Sequence, residues 1–270
     1  MLVATTKGTL LAIAEARRVS CSDFAPTDLV LKRSGDGGKT WGEIEMIRTE
    51  TRHGGGTSVP GEVIGNAAPV QLASGRILIP HTWNNSQVWI TSSDDDGKTW
   101  STARQVENVV LDDWVWVATG PPGSIQLRKS GRIIVPCYHG NVTRGNLFNN
   151  IVHGHVMISD DEGETWHLNR NPEYFGSGDK ASNEAQAVEL SNGTILINAR
   201  SLANPFMNQY RIQVSSHDGG ETWTETRFVH ELPQPIDGCE GSFVAGSGAL
   251  YFSGPQSKLL RERECYLLCT

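Results

Sequence analysis

The residues of this chain best placed to do chemistry are carboxylates and guanidinium groups at the ends of apolar strands. Glu15, Arg17 and Arg18 follow the apolar run Thr9–Ala14 directly, so they bring charge to a strand end. Asp23 stands in the polar loop that follows. Glu184 lies where the stretch SNEAQAVEL enters a strand, and Arg200 where ILINAR leaves one, so the two can face each other across neighbouring strands. Charge in an otherwise apolar strand pair is costly unless it is paired, which favours a polar site there. The plain readings stay open: a structural ion pair for Arg17 and Arg200, a loop cap for Asp23, a carboxylate that only fixes its arginine for Glu184. Position alone names no reaction.

Strands must carry these groups, and the chain punctuates its strands with one repeated pattern. Ser-x-Asp-x-Gly-x-Thr-Trp occurs at 34–41, 93–100, 159–166 and 216–223, and four matches at near-regular intervals demand a repeated architecture. Each copy reads as a tight turn. The Asp can accept backbone N–H groups of its own loop, the Gly supplies positive φ, the Thr hydroxyl closes the loop and the Trp anchors the next element. Calcium binding is disfavoured, because each loop offers too few carboxylates for the six to eight oxygens that ion takes. Alternating runs (DLVLKR, QVWITS, HVMIS, YRIQVS) lead into the four copies. Turns at Ser74-Gly75, Ser130-Gly131 and Asn192-Gly193 close hairpins ahead of the last three.

The unit is therefore four strands in roughly 60 residues: a hairpin, a strand into the box and a strand leaving it. Radially arranged four-stranded sheets protect their own edges, so we expect an all-β β-propeller. A β-sandwich would not need such regular boxes. Residues 1–270 read as one domain holding about four full blades and part of another. The first box leads into a strand at Trp41–Glu50 and then a polar loop at Thr51–Gly61; the second and third units open on strands at Pro69–Leu72 and Gly123–Leu127, and a longer loop is read at His139–Ile151. The last unit shows strands at Gly241–Ala245 and Leu250–Phe252, and the tail RERECYLLCT reads unlike the next strand.

Composition narrows the function classes. A net charge of −7 at pH 7 argues against nucleic-acid binding by bulk charge. No apolar run reaches the eighteen or so residues of a membrane span, and no signal peptide is visible; a cytoplasmic, peripheral-membrane or lysosomal location is the expectation. The five cysteines are scattered, with neither metal spacing nor an even disulfide framework. Sequons begin at Asn84, Asn141 and Asn192 and matter only in a secreted protein.

The four boxes, Glu15-Ala16-Arg17, Gly65-Asn66-Ala67-Ala68-Pro69-Val70, Gly120–Gln126 before Gly131-Arg132-Ile133, and Asn183-Glu184 with Asn198-Ala199-Arg200-Ser201 together resemble the exo-α-sialidase (neuraminidase) family, from Met1 to about Arg261. The resemblance implies a six-bladed β-propeller, of which these residues hold about four full blades and part of another, and retaining cleavage of terminal α-linked sialic acid from glycoproteins, gangliosides or oligosaccharides, without metal or other cofactor. It implies a triad of arginines on the substrate carboxylate, a task suited to bidentate guanidinium forks. Arg200 takes the second place and Arg261, after Ser253-Gly254-Pro255, the third. Arg17 becomes a helper at the pocket, and Asn66 and Tyr138 surround the acyl-amino and glycerol side of the sugar. Asp23, with Asp28 as second candidate, becomes the acid/base that protonates the leaving oxygen and then activates water. Glu184 becomes the carboxylate that activates a tyrosine nucleophile, a neutral group chosen because a carboxylate would repel the anionic sugar. Glu240 stands where some relatives have glutamine. The first arginine and the tyrosine are expected outside these residues, Tyr266 being too early, so the chain is expected to be truncated at both ends and impaired in turnover. A non-catalytic sialoglycan-binding propeller is the alternative, and a pure scaffold a third reading.

Overall fold

Local hydrogen bonding closes the four turns in the same way. In the computed structural model, which describes residues 1–49, 62–141, 152–170, 175–176, 180–202, 209–236, 238–255, 257–259 and 264–269, each box serine hydroxyl donates to the box aspartate at 2.8 Å. The aspartate also accepts the threonine N–H at 2.8–3.0 Å and the threonine hydroxyl at 2.6 Å. These donors, led by the Thr40 and Thr165 hydroxyls, hold the Asp36 and Asp161 carboxyls down to a pKa of about 2. The carboxylate oxygens are thus committed to their own loops.

Antiparallel sheets form around the turns. The first contains β1 (Leu2–Ala4), β2 (Leu10–Arg17), β3 (Thr27–Ser34) and β4 (Glu45–Arg48), in that order. In the second, β5 (Ile64–Gly65) and β6 (Val70–Gln71) both pair with β7 (Ile77–Trp83), followed by β8 (Gln87–Ser93) and β9 (Arg104–Gln105). The third repeats this plan with β10 (Trp116–Thr119), β11 (Ile125–Gln126), β12 (Ile133–Gly140), β13 (Val152–Ser159) and β14 (His167–Leu168). The fourth runs β15 (Ser182–Glu189), β16 (Ile195–Ser201), β17 (Tyr210–Ser216) and β18 (Arg227–Pro233). A three-stranded sheet, β19 (Ser242–Gly246), β20 (Ala249–Pro255) and β21 (Glu264–Cys269), follows.

The result is an all-β molecule with four blades in a β-propeller arrangement and a further three-stranded sheet. Its core is divided between neighbouring blades. One cluster joins the first two sheets through Leu11, Leu31, Ile64 and Ile79. The next joins the second and third through Leu78, Ile90, Ile133 and Met157. Another joins the third and fourth through Ile134, Ile158, Ile197 and Val214. The box turns reinforce these seams. A Cβ on Gly97, Gly163 or Gly220 would come within 2.6–2.9 Å of Leu11, Leu78 or Ile134 in the preceding blade, so the absence of a side chain lets each turn press on its neighbour. Arginines cross the same seams: Arg33 Nη1 donates to the Asp96 carbonyl at 2.6 Å, and Arg132 Nη1 to Glu221 at 2.9 Å.

Five elements differ from the sequence reading. Of the strand expected at Trp41–Glu50, the described residues form only β4, Glu45–Arg48. His139 and Gly140 extend β12 where a loop was expected. The innermost strands of the second and third blades start earlier than expected, at β5 and β10, and are broken before β6 and β11. Asn66 in one break and Gly120 in the other have positive φ, 55° and 59°. Within the tail that read as atypical, Glu264–Cys269 pairs with β20 as β21, where backbone hydrogen bonding to a waiting edge outweighs the side-chain pattern. The loop expected at Thr51–Gly61 lies outside the described residues. No helix among the described residues is long and apolar enough to cross a membrane.

A buried histidine cluster lies within the third blade. His139 stacks on Trp114 at 3.7 Å, and its Nδ1 lies 3.0 Å from Nδ1 of His155. Burial lowers the pKa of His139 to about 3, and lowers those of His153 and His155 as well. A histidine whose folded pKa is depressed contributes full stability above its unfolded value. That stability is lost as pH falls below about 6.5 toward the folded value. Urea titrations at descending pH are expected to show stability falling by a few kcal/mol, on the order of two, between about pH 7 and about pH 5. A flat profile would contradict the neutral, buried assignment.

Candidate active site

Each blade delivers side chains to one cavity of about 1030 Å³ at the axis of the sheets. Arg17, Asp23, Asn66, Tyr138, Glu184 and Arg200 all line it, together with Glu15 and Glu240. Arg261 lies outside the described residues.

Glu184 and Arg200 meet because the inner strand is irregular there. Ser182 pairs with Ser201 and Ala185 with Ala199, so Asn183 and Glu184 together oppose Arg200 alone. Such a bulge re-aims side chains, and Arg200 Nη1 donates to Glu184 Oε2 at 2.9 Å. Both side chains are mostly buried, 16% and 18% exposed. Burial works against the Arg200 charge, but the surrounding groups, Glu184 first among them, outweigh it together, and the guanidinium pKa rises. Gly238 packs on the Arg200 stem at a point where a Cβ would lie 2.6 Å from Cγ.

Arg17 ends β2 and ties down the loop that carries Asp23. Its Nη1 donates to the Cys21 carbonyl at 2.6 Å, and its Nη2 lies 2.9 Å from Asp23 Oδ1. Asp23 itself is 69% exposed, at the mouth of the cavity. Asp28, the second candidate for the same role, is buried elsewhere in an ion pair with Arg18.

Asn66 occupies the break between β5 and β6. Its backbone N–H donates to Glu15 Oε1 at 2.6 Å, which ties the first blade to the second. Its amide nitrogen donates to Asn85 Oδ1 at 2.7 Å and Thr82 Oγ1 at 3.2 Å. Tyr138, on β12, is buried. Burial first, then the Glu184 carboxylate, raises its pKa well above the ordinary phenol value, with Arg200 and a Trp116 hydrogen bond opposing. Its phenol is therefore a neutral hydrogen-bonding group.

Glu240 projects into the cavity from the segment before β19. Water reaches it, yet protein walls it in; this desolvation, then the charge on Glu184, pushes its pKa up to about 7. Behind it, buried Arg211 donates from Nη1 to the Cys239 carbonyl at 2.8 Å and from Nε to Asn198 Oδ1. Burial lowers the Arg211 pKa to about 10. Four carboxyl groups and two arginines thus line the cavity, so an anion binds best when Glu240 carries a proton.

Sequence reasoning did not single out Phe24, Trp116 or Asn85, which also line the cavity. Asn85 was signalled only by the Asn84-Asn85 pair, both at positive φ. Trp116 was hidden because β10 precedes the break in its inner strand.

A profile for the BNR repeat-like domain matches residues 8–263. Sialidase-4 of Mus musculus is 31% identical over 270 residues, covering 90% of this chain and 52% of that protein. The sialidase of Bacteroides fragilis is 26% identical, covering 95% and 49%. Among solved structures, a Hadza microbial sialidase superposes with a TM-score of 0.83 at 26% identity, over 99% of this chain and 55% of that one. The chain spans about half the length of the curated relatives it matches.

Proposed function

The chain belongs to the BNR-repeat (Asp-box) sialidase family, and from that premise we propose that its cavity binds terminal α-linked sialic acid in the service of exo-sialidase chemistry. The single observation that carries this reading is the mostly buried Arg200–Glu184 pair, set in one cavity with Asp23. In this reading Arg200 forks onto the substrate carboxylate, with Arg261 as a further member of the triad. Asn66 and Tyr138 hold the acyl-amino and glycerol side, and Arg17 positions the Asp23 loop. Asp23 protonates the glycosidic oxygen as the bond to the anomeric carbon breaks, then takes a proton from the incoming water. Glu184 is the base for a tyrosine nucleophile, and the product retains its configuration. The full ring in this reading is a six-bladed propeller, of which residues 1–270 form part. The substrates are sialylated glycoproteins, gangliosides or oligosaccharides.

One observation favours binding without turnover as the second reading. Among the described residues Tyr138 is the only tyrosine lining the cavity, and its raised pKa makes it a poor nucleophile. A fluorogenic sialoside assay run beside calorimetric titration with an α-methyl sialoside separates the two. Binding is expected in either case, hydrolysis only in the first; absence of both overturns the proposal. Binding is expected to strengthen as pH falls through about 7, where Glu240 gains its proton. Glu240→Gln should flatten that rise, and an unchanged profile would remove Glu240 from the charge balance of the site.

A further inference from the structure

Phe24 follows Asp23 directly and stays 63% exposed, although its loop is pinned on both sides. Its N–H donates to Ser22 Oγ at 3.2 Å, the next residue, Ala25, is buried, and Arg17 holds the Cys21 carbonyl. The ring does not lie free on the surface. It meets Trp116 edge to face, with centroids 6.0 Å apart and planes at 78°, a preferred aromatic geometry. Phe24 belongs to the first blade and Trp116 opens the third, so the pair spans the mouth of the cavity that both residues line.

We propose that Phe24, braced by Trp116, forms the subsite for the sugar on the leaving side of the scissile bond, stacking against the apolar C–H face of a pyranose ring. The inference rests on the role given above to Asp23. A general acid must lie within hydrogen-bond reach of the oxygen it protonates. Arg17 engages Asp23 Oδ1, so Oδ2 is the atom left for the glycosidic oxygen. The group on the far side of that oxygen then falls beside the residue next to Asp23. An aromatic ring there offers an apolar face while the hydroxyl groups of the sugar stay in water. Among the residues around the cavity, carboxylates and guanidinium groups serve the charged sugar, and this ring pair suits a neutral one.

Calorimetric titration of the full chain with an α-methyl sialoside and with 3′-sialyllactose tests this. The wild-type chain is expected to bind sialyllactose more tightly, by roughly fivefold. Phe24→Ala should abolish that preference, weakening sialyllactose far more than the methyl sialoside, while Phe24→Trp should retain it. Saturation-transfer NMR should show enhancement at the lactose C–H protons of the wild-type complex, lost in Phe24→Ala. No preference for the disaccharide in the wild type, or equal losses for both ligands in Phe24→Ala, overturns the subsite and leaves the sialoside reading standing. Failure of the wild type to bind either ligand overturns that reading, and the subsite with it.

Discussion

Replacing Arg200 by alanine is expected to abolish measurable sialoside binding, a loss of about 100-fold or more, since truncating one partner of a desolvated charge contact costs roughly 2–5 kcal/mol. Two effects combine. The substrate carboxylate loses its guanidinium fork, and Glu184 is left mostly buried without the donor that holds it at 2.9 Å. Its uncompensated charge then faces Glu240, the group already raised by its proximity, and repels an anion further. Removing one partner of a buried pair is destabilising in its own right, by about 2–3 kcal/mol at this partial exposure. Thermal melting should show that cost separately from the binding isotherm. Arg200→Lys keeps the charge without the planar fork and is expected to recover the melt better than the affinity. Affinity unchanged in Arg200→Ala would remove the arginine from the site.

The second large effect concerns the scaffold. Trp166 is 8% exposed in the seam between the second and third blades, and its Nε1 donates to the Gly163 carbonyl at 2.9 Å. Trp41, at the same place in the first box, is 38% exposed and makes the same bond at 3.1 Å. The pattern residue is identical, so the difference isolates burial. Trp166→Ala is expected to cost about 3–5 kcal/mol, as large-to-small changes in packed cores do, and Trp41→Ala about 1 kcal/mol. Paired urea denaturation curves decide it; equal losses would mean that the boxes act as isolated turns and not as locks between blades.

The two predictions rest on features that were unequally legible in the sequence. Glu184 and Arg200 were readable as neighbours because both lie about equally far from the Asn192-Gly193 turn, and a short hairpin sets its own register. The bulge that turns Glu184 onto Arg200 was not readable, because it depends on where the inner strand meets the rest of the cavity. Asp28 and Asp23 looked alike as loop carboxylates until packing put one in an ion pair with Arg18 and the other at the mouth of the cavity. β10 escaped notice since the break after it disrupts the alternation by which strands are recognised.

By itself the chain's sequence determined the four box turns and the hairpins ahead of the last three. All of these are closed by hydrogen bonds and side-chain contacts within a few residues, so short windows contain the physics. Only the tertiary structure decided that Asp23, Phe24, Trp116, Glu184 and Glu240 share one cavity. They come from different blades, and their meeting depends on how Leu11, Leu78 and Ile134 pack against the box turns of the following blades. That packing sets the angle between sheets, a quantity summed over every seam and written in no single stretch.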